Sequence, residues 1–287
     1  MTLGEFVNGA RESLGRLYLP AEAKALVFRL TEHFFETPSY KYISEPEMEV
    51  DPTKASRALD ELCEGRPIQY VLGYAEFCGH KFRVAEGCLI PRPETEELVY
   101  RIFDNVRDTD KGDDIFNILD LCTGSGCIAY SLADGFPSAM VYGCDISPEA
   151  LSIACRQKIK LQGARPVLFQ ADILSDPPAG LPPFDVIVSN PPYVCESEKA
   201  LMRRNVLDYE PSQALFVPDS DPLVFYRAIS RWAERLLKSD GSLFLEVNER
   251  FADKVSALFP GSSVHTDIFG KPRFVTLHFA TRLGGGR

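Results

Sequence analysis

Residues 184–193 constrain the fold more than any other stretch of this chain. They begin with an apolar, β-branched run at 186–188 (Val-Ile-Val), which is typical of a short strand buried on both faces of a sheet. Pro191 and Pro192 follow closely, and because proline has no backbone N–H, a sheet ladder cannot continue through them. The stretch therefore predicts a buried strand with an abrupt end.

The end of this strand offers two hydrogen-bond acceptors. Asn190 precedes a proline and is therefore steered into an extended conformation. Its side chain, the Pro191 carbonyl and the Tyr193 ring are expected to project past the sheet edge, where ligands bind in open α/β sheets. Two oxygen acceptors beside an aromatic ring suit a planar –NH2 group. The simpler alternative is a proline turn that only leads the chain out of the strand.

Strand and helix patterns alternate from residue 115 onward. Such alternation predicts an α/β fold with a mostly parallel twisted sheet covered by helices on both faces. Asp240-Gly241 is expected to form the turn into the fifth strand. The predicted strands are 115–121, 139–144, 166–170, 184–189, 242–247 and 273–279, and the predicted helices lie near 125–134, 148–161, 222–237 and 250–258.

The chain is expected to contain three parts. Residues 1–74 show helical spacing of apolar residues and predict a small bundle that docks a substrate or partner, with Asp51 capping its third helix. Residues 75–90 predict a β-hairpin linker, and residues 91–283 the main α/β domain.

Composition excludes several classes of protein. The formal net charge is −10, with 41 acidic against 31 basic residues, which argues against a stable nucleic-acid complex. No apolar run approaches the ~20 residues of a membrane-spanning helix, and the N-terminus lacks the pattern of a signal peptide. Eight cysteines without a C-x-x-C pair and four scattered histidines predict no metal site. We expect a reduced, cytoplasmic protein without a membrane segment.

Residues 118–129 predict a strand, a glycine turn and a helix, which is the arrangement of a nucleotide site. Gly124 and Gly126 allow the backbone to approach a ligand closely. Gly124-x-Gly126-x-x-Ala129 formally matches the dinucleotide fingerprint, but adenosylmethionine sites use a similar turn. Asp145 ends the next strand, where either cofactor would offer it ribose hydroxyls.

Asp120 distinguishes these two cofactors. A dinucleotide needs the helix N-terminus for its pyrophosphate, whereas the sulfonium and ammonium of adenosylmethionine favour nearby acidic and carbonyl groups. Asp172 is expected to accept from the adenine amino group, with Ile173 against the ring. The alternative for both aspartates is capping of the turn that follows each strand. Together with the proline-rich strand end, these residues favour a methyl donor.

Several segments resemble one enzyme family closely. From about residue 65 to the end, the chain is similar to the peptide chain release factor N(5)-glutamine methyltransferases, and residues 1–64 match only as a helical domain. Asn-Pro-Pro-Tyr alone is shared with adenine-amino methyltransferases, but the segment at 89–96 is far more specific. The matching pieces are residues 65–70, Phe77 with Phe82, 89–96, 119–129, 190–193, 209–211, 244–246 and 267–273.

This resemblance implies a Rossmann-like class I methyltransferase fold and a role for each motif. The turn of Cys122, Thr123, Gly124, Ser125 and Gly126 would surround the methionine part of S-adenosyl-L-methionine, Asp145 would bind the ribose, and Ile173 would lie against the adenine. Asn190, Pro191, Pro192 and Tyr193 would hold the glutamine amide, with Asn190 also next to the donor.

The resemblance further implies the reaction. The methyl group would pass to the Gln side-chain amide of the Gly-Gly-Gln motif in class I peptide chain release factors, leaving S-adenosyl-L-homocysteine. The protein would act in translation termination, and we expect a monomer. Three alternatives remain: an adenine-N6 nucleic-acid methyltransferase, an NAD(P)-dependent oxidoreductase and a catalytically silent scaffold.

Two residues depart from the family pattern. Cys122 stands where the first glycine of the loop is usual, and Asn248 where glycine is common after the fifth strand. We expect Cys122 to occupy its place with a negative φ and the pocket to remain intact.

Overall fold

A computed structural model of the 287-residue chain describes residues 1–106 and 116–278. The chain divides into two compact units, Met1–Tyr74 with Arg203–Tyr209, and Ala75–Met202 with Glu210–Arg287. The boundary after Tyr74 lies where the sequence changes from helical to β patterns. Arg203–Tyr209 groups with the first unit, although its sequence position is inside the expected α/β domain.

The first unit is helical. Thr2 starts it with a capping box, in which its side chain accepts from the Glu5 N–H and the Glu5 side chain accepts from the Thr2 N–H. The expected cap at Asp51 is displaced by one residue, because the third long helix begins at Thr53 with Pro52 as its N-cap, and Asp51 Oδ1 accepts from the Thr53 N–H at 3.0 Å from the position before it. The helices are α1 (Leu3–Leu14), α2 (Pro20–Phe35), α3 (Lys41–Ser44), α4 (Thr53–Cys63) and α5 (Ile68–Leu72), with Arg204–Tyr209 from later in the chain.

The second unit contains a seven-stranded, mostly parallel sheet, which confirms the predicted fold class. Its strands are β3 (Asn117–Leu121), β4 (Met140–Asp145), β5 (Val167–Gln170), β6 (Phe184–Ser189), β9 (Leu237–Glu246), β10 (Ser263–Thr266) and β11 (Pro272–His278). The order across the sheet is β10-β11-β9-β6-β3-β4-β5, with β11 antiparallel to both of its neighbours. Two short pairs lie outside it, the hairpin of β1 (Tyr74–Phe77) and β2 (His80–Arg83), and β7 (Val194–Cys195) with β8 (Phe216–Val217).

Helices cover both faces of this sheet. Alternate residues of β6 divide between two cores, since Val186 and Val188 pack on one side and Ile187 on the other. Every residue of β6 is buried, as the Val-Ile-Val run predicts. The helices of this unit are α6 (Pro93–Asn105), α7 (Cys127–Gly135), α8 (Pro148–Cys155), α10 (Val224–Leu236) and α11 (Ala252–Ser256), and α9 is the Arg204–Tyr209 helix of the first unit.

Two element boundaries differ from the sequence prediction. The helix expected to reach residue 161 ends at Cys155, and Gln157 then turns its buried amide onto the Arg83 backbone and the Ser125 carbonyl. Strand β9 starts at Leu237, and the turn expected at Asp240-Gly241 is a bulge within it. The first residue of the predicted strand 115–121 and the last of 273–279 lie outside the described residues.

The strand order determines where a ligand is expected to bind. From β3 the chain moves outward through β4 to β5, and then returns to the opposite side of β3 with β6. Such a switch leaves a crevice at the carboxyl ends of the strands. Within the described residues, no helix is long and apolar enough to cross a bilayer.

Candidate active site

A cavity of about 310 Å³ opens at the carboxyl ends of β3, β4, β5 and β6. Its lining combines a glycine turn, two aspartates and an apolar wall. The lining residues are Gly87–Arg92, Thr95, Cys122–Ser125, Cys127, Ile128, Asp145–Ser147, Ala150, Ala171–Leu174, Asn190, Pro192, Pro211, Gln213, Ala214 and Phe225.

The turn after β3 has three residues with positive φ. These are Cys122 at 61°, Gly124 at 55° and Gly126 at 81°. A Cβ placed on Gly124 would meet no atom within 4 Å, so this part of the backbone borders open space. A Cβ on Gly126 would lie 3.0 Å from the Tyr130 ring, so glycine is required there for packing as well as for conformation.

The expectation of a negative φ for Cys122 is wrong. Its left-handed backbone is a conformation that a residue with a Cβ adopts at a cost. This conformation is accompanied by tertiary hydrogen bonds in the turn, since the next residue, Thr123, donates its N–H to the Cys144 carbonyl at 2.9 Å. Burial raises the pKa of the Cys122 thiol well above its usual range, so the side chain is an uncharged part of the cavity wall.

Asp120, in β3, holds this turn in place through hydrogen bonds. Its Oδ2 accepts from the Thr123 hydroxyl at 2.6 Å and from the Ala129 N–H at 3.2 Å, which is the capping role considered as an alternative for this residue. The side chain is fully buried, and burial raises its pKa to about 7. Its Oδ1 is buried without a hydrogen-bond partner among the described residues. Asp120 therefore acts on the cavity through the turn and through its charge.

Asp145 lies at the end of β4 and lines the cavity. Its Oδ2 accepts from the Gly124 N–H at 2.8 Å and its Oδ1 from the Ser147 N–H at 2.9 Å. The carboxylate thus joins the glycine turn to the start of α8, and each oxygen retains a lone pair for a hydroxyl donor. Burial raises its pKa, while the backbone N–H groups oppose that shift.

The cavity wall beside β5 combines a polar and an apolar part. Asp172 Oδ1 accepts from the Leu174 N–H at 2.9 Å, so this aspartate caps the turn and lines the cavity at once. Ile173 is buried, and Phe225 lies in the same lining. Together they form an apolar surface of the kind that a purine ring packs against.

Asn190 lies at the end of β6, held by a chain of buried hydrogen bonds. Its Nδ2 donates to Thr95 Oγ1 at 3.0 Å, and Thr95 Oγ1 donates to Glu246 Oε2 at 2.7 Å. Thr95 and Glu246 are almost fully buried. One N–H of its amino group is thus committed to Thr95, and Asn190 retains its carbonyl oxygen, which has no hydrogen-bond partner among the described residues, for a ligand.

Tyr193 is tied to the same carboxylate. Its hydroxyl donates to Glu246 Oε1 at 2.8 Å, and its ring packs against the core on that side of the sheet. Pro191 is buried. Of the Asn-Pro-Pro-Tyr motif, Asn190 and Pro192 line the cavity, whereas Pro191 and Tyr193 stand behind them.

An ion pair closes another side of the cavity. Arg92 Nη2 donates to Glu210 Oε1 at 2.6 Å, and Glu210 Oε2 accepts from the Ile90 N–H at 3.1 Å. Glu210 is buried, and it joins the Ile-Pro-Arg segment to Pro211, which also lines the cavity.

The second departure from the family pattern fits its surroundings. Asn248 has φ −67° and ψ 130°, so no glycine is needed there. Its Nδ2 donates to the Tyr193 carbonyl at 3.2 Å and to Glu198 Oε2 at 3.1 Å. The asparagine thus adds a connection that secures the end of the Asn-Pro-Pro-Tyr motif.

The predicted cofactor residues lie together around the cavity, with Gly126 as the exception, since it lies behind the turn. Sequence reasoning assigned no role to Thr95, Glu246 or Glu210, although they lie in the segments that carry the family resemblance. One feature of the sequence could have indicated them. Each is a polar residue inside or beside an apolar run, and a polar side chain that is buried there needs a hydrogen-bond partner. Across the described residues, no cluster of three or more His, Cys, Asp or Glu side chains is arranged to hold a metal ion.

Comparison with known proteins agrees with this geometry. Residues 118–206 match a family described as a methyltransferase domain. The release factor glutamine methyltransferase of Bacteroides thetaiotaomicron is 41% identical over 275 residues, covering 93% of this chain and 96% of that protein. The protein of the same name from Flavobacterium psychrophilum is 36% identical over 278 residues, again covering 93% of this chain and 96% of that protein.

A solved structure supports the fold alone. The hMettl16 catalytic domain, in complex with the MAT2A 3′UTR hairpin 6, matches with a TM-score of 0.50 at 13% identity, covering 71% of this chain and 77% of that chain. The two curated relatives, by contrast, match along nearly the whole of their length. On that evidence this chain belongs to the release factor glutamine methyltransferase family.

Proposed function

We propose that this protein transfers the methyl group of S-adenosyl-L-methionine to the side-chain amide nitrogen of the Gln in the Gly-Gly-Gln motif of class I release factors. The observation that carries the proposal is the orientation of Asn190, whose amino group donates one N–H to Thr95 at 3.0 Å while its carbonyl oxygen remains for a ligand. A carbonyl oxygen in that place suits a primary amide that must donate an N–H.

The cavity lining fits adenosylmethionine. Gly124 leaves room for a ligand against the backbone, Asp145 has lone pairs for ribose hydroxyls, and Ile173 offers an apolar surface for the adenine. The lining turn of Cys122, Thr123, Gly124 and Ser125, with Gly126 behind it, is proposed to surround the methionine part. Asp145 with Asp120 beneath the turn favours a cationic ligand.

Bound S-adenosyl-L-methionine would supply an electrophilic methyl group. The amide nitrogen of glutamine is a weak nucleophile, because its lone pair is delocalised into the carbonyl. Asn190 Oδ1 and the Pro191 carbonyl are proposed to accept one N–H each, which orients the nitrogen for attack. The same acceptors favour a pyramidal, partly positive nitrogen over the planar ground state. The methylated nitrogen is acidic and loses its proton to water, so no strong base is required.

Pro192 and Tyr193 are proposed to shape the glutamine pocket around these acceptors. Pro192 lines the cavity. Tyr193 does not line the cavity, and its hydroxyl is held by Glu246, so its ring is proposed to shape the pocket from behind the lining residues.

We infer that the helical unit formed mainly by residues 1–74 helps to dock the release factor, and that the protein is monomeric and cytoplasmic. The net charge of −10 supports a protein substrate over a nucleic acid.

Mass spectrometry of a class I release factor, incubated with the protein and adenosylmethionine, tests this proposal. We expect one added methyl group on the Gln of Gly-Gly-Gln, and none when that Gln is replaced by Glu. Methylation of DNA or RNA in parallel reactions, with an unmodified release factor, would instead indicate an adenine-N6 enzyme. Asn190→Ala should lower turnover about 100-fold while leaving donor binding nearly unchanged.

A further inference from the structure

Two buried residues connect the reacting end of β6 to the end of β9. Thr95 lies in the first turn of α6 and is 2% exposed, and Glu246 is the last residue of β9 and is 1% exposed. The Thr95 hydroxyl lies 2.7 Å from Glu246 Oε2 and 3.0 Å from Asn190 Nδ2. Nothing else in the cavity lining contacts the Asn190 amino group among the hydrogen bonds of the described residues.

The direction of these hydrogen bonds follows from their chemistry. A carboxylate can only accept, and a threonine hydroxyl has a single proton. Glu246 already accepts from the Tyr193 hydroxyl at its other oxygen, so both of its oxygens act as acceptors. Burial raises the pKa of Glu246, while the hydrogen bonds from Thr95 and Tyr193 and the positive charge of Arg273 oppose that shift. The Thr95 proton is therefore committed to Glu246, and only a lone pair faces Asn190.

This commitment selects one of two orientations for the Asn190 amide. With its Nδ2 toward Thr95, the amide makes a hydrogen bond and presents Oδ1 to a ligand. In the reversed orientation, two oxygens would face each other without a proton, and an –NH2 group would meet the –NH2 of the glutamine. A free asparagine has no strong preference between these states, so the preference comes from its partners.

We propose that Thr95 and Glu246 are positioning residues for methyl transfer, which act by holding the Asn190 carbonyl oxygen toward the substrate amide. This inference rests on the proposed function. Thr95 and Glu246 come from segments far apart in the sequence, and their effect on the reaction passes through Asn190. They therefore contribute to kcat more than to substrate or donor binding.

Steady-state kinetics of substituted enzymes test the proposal. Thr95→Val keeps the shape of the side chain but removes its lone pair, and we expect kcat to fall about 10- to 100-fold with KM for the release factor and Kd for adenosylmethionine within about twofold. Thr95→Ser restores the hydroxyl and should recover most of the turnover. Glu246→Gln can donate to Thr95, which frees the threonine proton to bind Asn190 Oδ1 and reverse the amide, so it should resemble Thr95→Val.

A double-mutant comparison separates positioning from general structural damage. In an Asn190→Ala background, Thr95→Val should cause no further loss of kcat, because the group that it orients is gone. Thr276→Val is the matched control, since Thr276 is also buried and hydrogen-bonded, in β11 and outside the cavity lining. It should leave kcat within about twofold of wild type.

The outcomes are distinct. Wild-type kcat for Thr95→Val, or equal losses from Thr95→Val in the presence and absence of Asn190, would overturn the inference while leaving the proposed function intact. If Thr95→Val does not fold, Glu246→Gln and Thr95→Ser decide the question alone, because kcat should fall for Glu246→Gln and stay near the wild-type value for Thr95→Ser. A wild-type enzyme that does not methylate any release factor would overturn the proposed function itself.

Discussion

Arg92 Nη2 lies 2.6 Å from Glu210 Oε1 in an ion pair whose partners differ in exposure, with the Glu210 side chain 1% and the Arg92 side chain 32% exposed. Removal of the Arg92 side chain and removal of the Glu210 charge should therefore lower the free energy of unfolding by different amounts. Without Arg92, the buried carboxylate keeps only the Ile90 N–H as a hydrogen-bond donor among the described residues, whereas without the Glu210 charge, water still reaches the guanidinium.

Arg92→Met is expected to destabilise the fold by about 3 kcal/mol, and Glu210→Gln by about 1 kcal/mol. Urea unfolding of both variants and the wild type measures the difference. Equal losses, or a larger loss for Glu210→Gln, would contradict the expectation that an unpaired buried carboxylate costs more than an unpaired exposed guanidinium.

Cys122→Gly should be more stable than Cys122→Ala by about 1 kcal/mol. Both changes remove the thiol, but only glycine relieves the left-handed backbone at φ 61°. Cys144 is the matched control, because it is a fully buried strand cysteine outside the positive-φ set, and there alanine should be the more stable replacement. The same order of stabilities at both positions would contradict this explanation.

The free energy of unfolding should decrease as pH rises toward neutrality. The pKa of Asp120 is about 7 in the folded protein against an ordinary 3.8, so the folded state retains this proton to higher pH than the unfolded state. Its contribution is fully present below about pH 4 and is lost as pH rises to about 7, which amounts to a few kcal/mol at the order-of-magnitude level. Asp120→Asn cannot titrate, so its stability deficit relative to wild type should narrow between about pH 5 and pH 7.5. The free energy of unfolding of both proteins is measured by urea unfolding at each pH. If it changes with pH in parallel for wild type and Asp120→Asn, Asp120 does not titrate in this range.

Adenosylmethionine should bind more tightly as pH rises over the same interval. Burial raises the pKa of both Asp120 and Asp145, and a cationic ligand favours their ionised forms, so binding is coupled to proton release. Calorimetry in buffers of different ionisation enthalpy measures the protons released. Adenosylhomocysteine, which lacks the sulfonium charge, should show a weaker pH dependence, and an equal dependence for both ligands would mean that the sulfonium charge is not involved.

The spacing of apolar residues and the positions of proline and glycine were enough to predict the fold class. The Val-Ile-Val run followed by two prolines predicted a doubly buried strand with an abrupt end, and β6 is buried throughout and stops at Ser189. These properties are local, because side-chain alternation and the missing proline N–H act within a few residues. The bulge at Asp240-Gly241 could not be predicted from local sequence. The Asp-Gly pair is typical of a turn, but whether it ends a strand or forms a bulge within one depends on the register of β9 against β6.

The candidate site likewise contains residues that the sequence predicted and residues that only the tertiary structure revealed. Asn190 and Asp145 were predictable because each follows a strand directly, at the edge where parallel strands end together. The backbone of Cys122 was predicted wrongly, because the turn adopts a conformation that cysteine alone would avoid and is held by contacts outside the local sequence, such as the hydrogen bond from Thr123 to Cys144. Thr95, Glu246 and Asn190 are far apart in the sequence, and no local pattern indicates that the Thr95 hydroxyl connects the other two. Only the tertiary structure brought these polar groups into a buried place where each needs a partner, and that need decides which way the Asn190 amide faces.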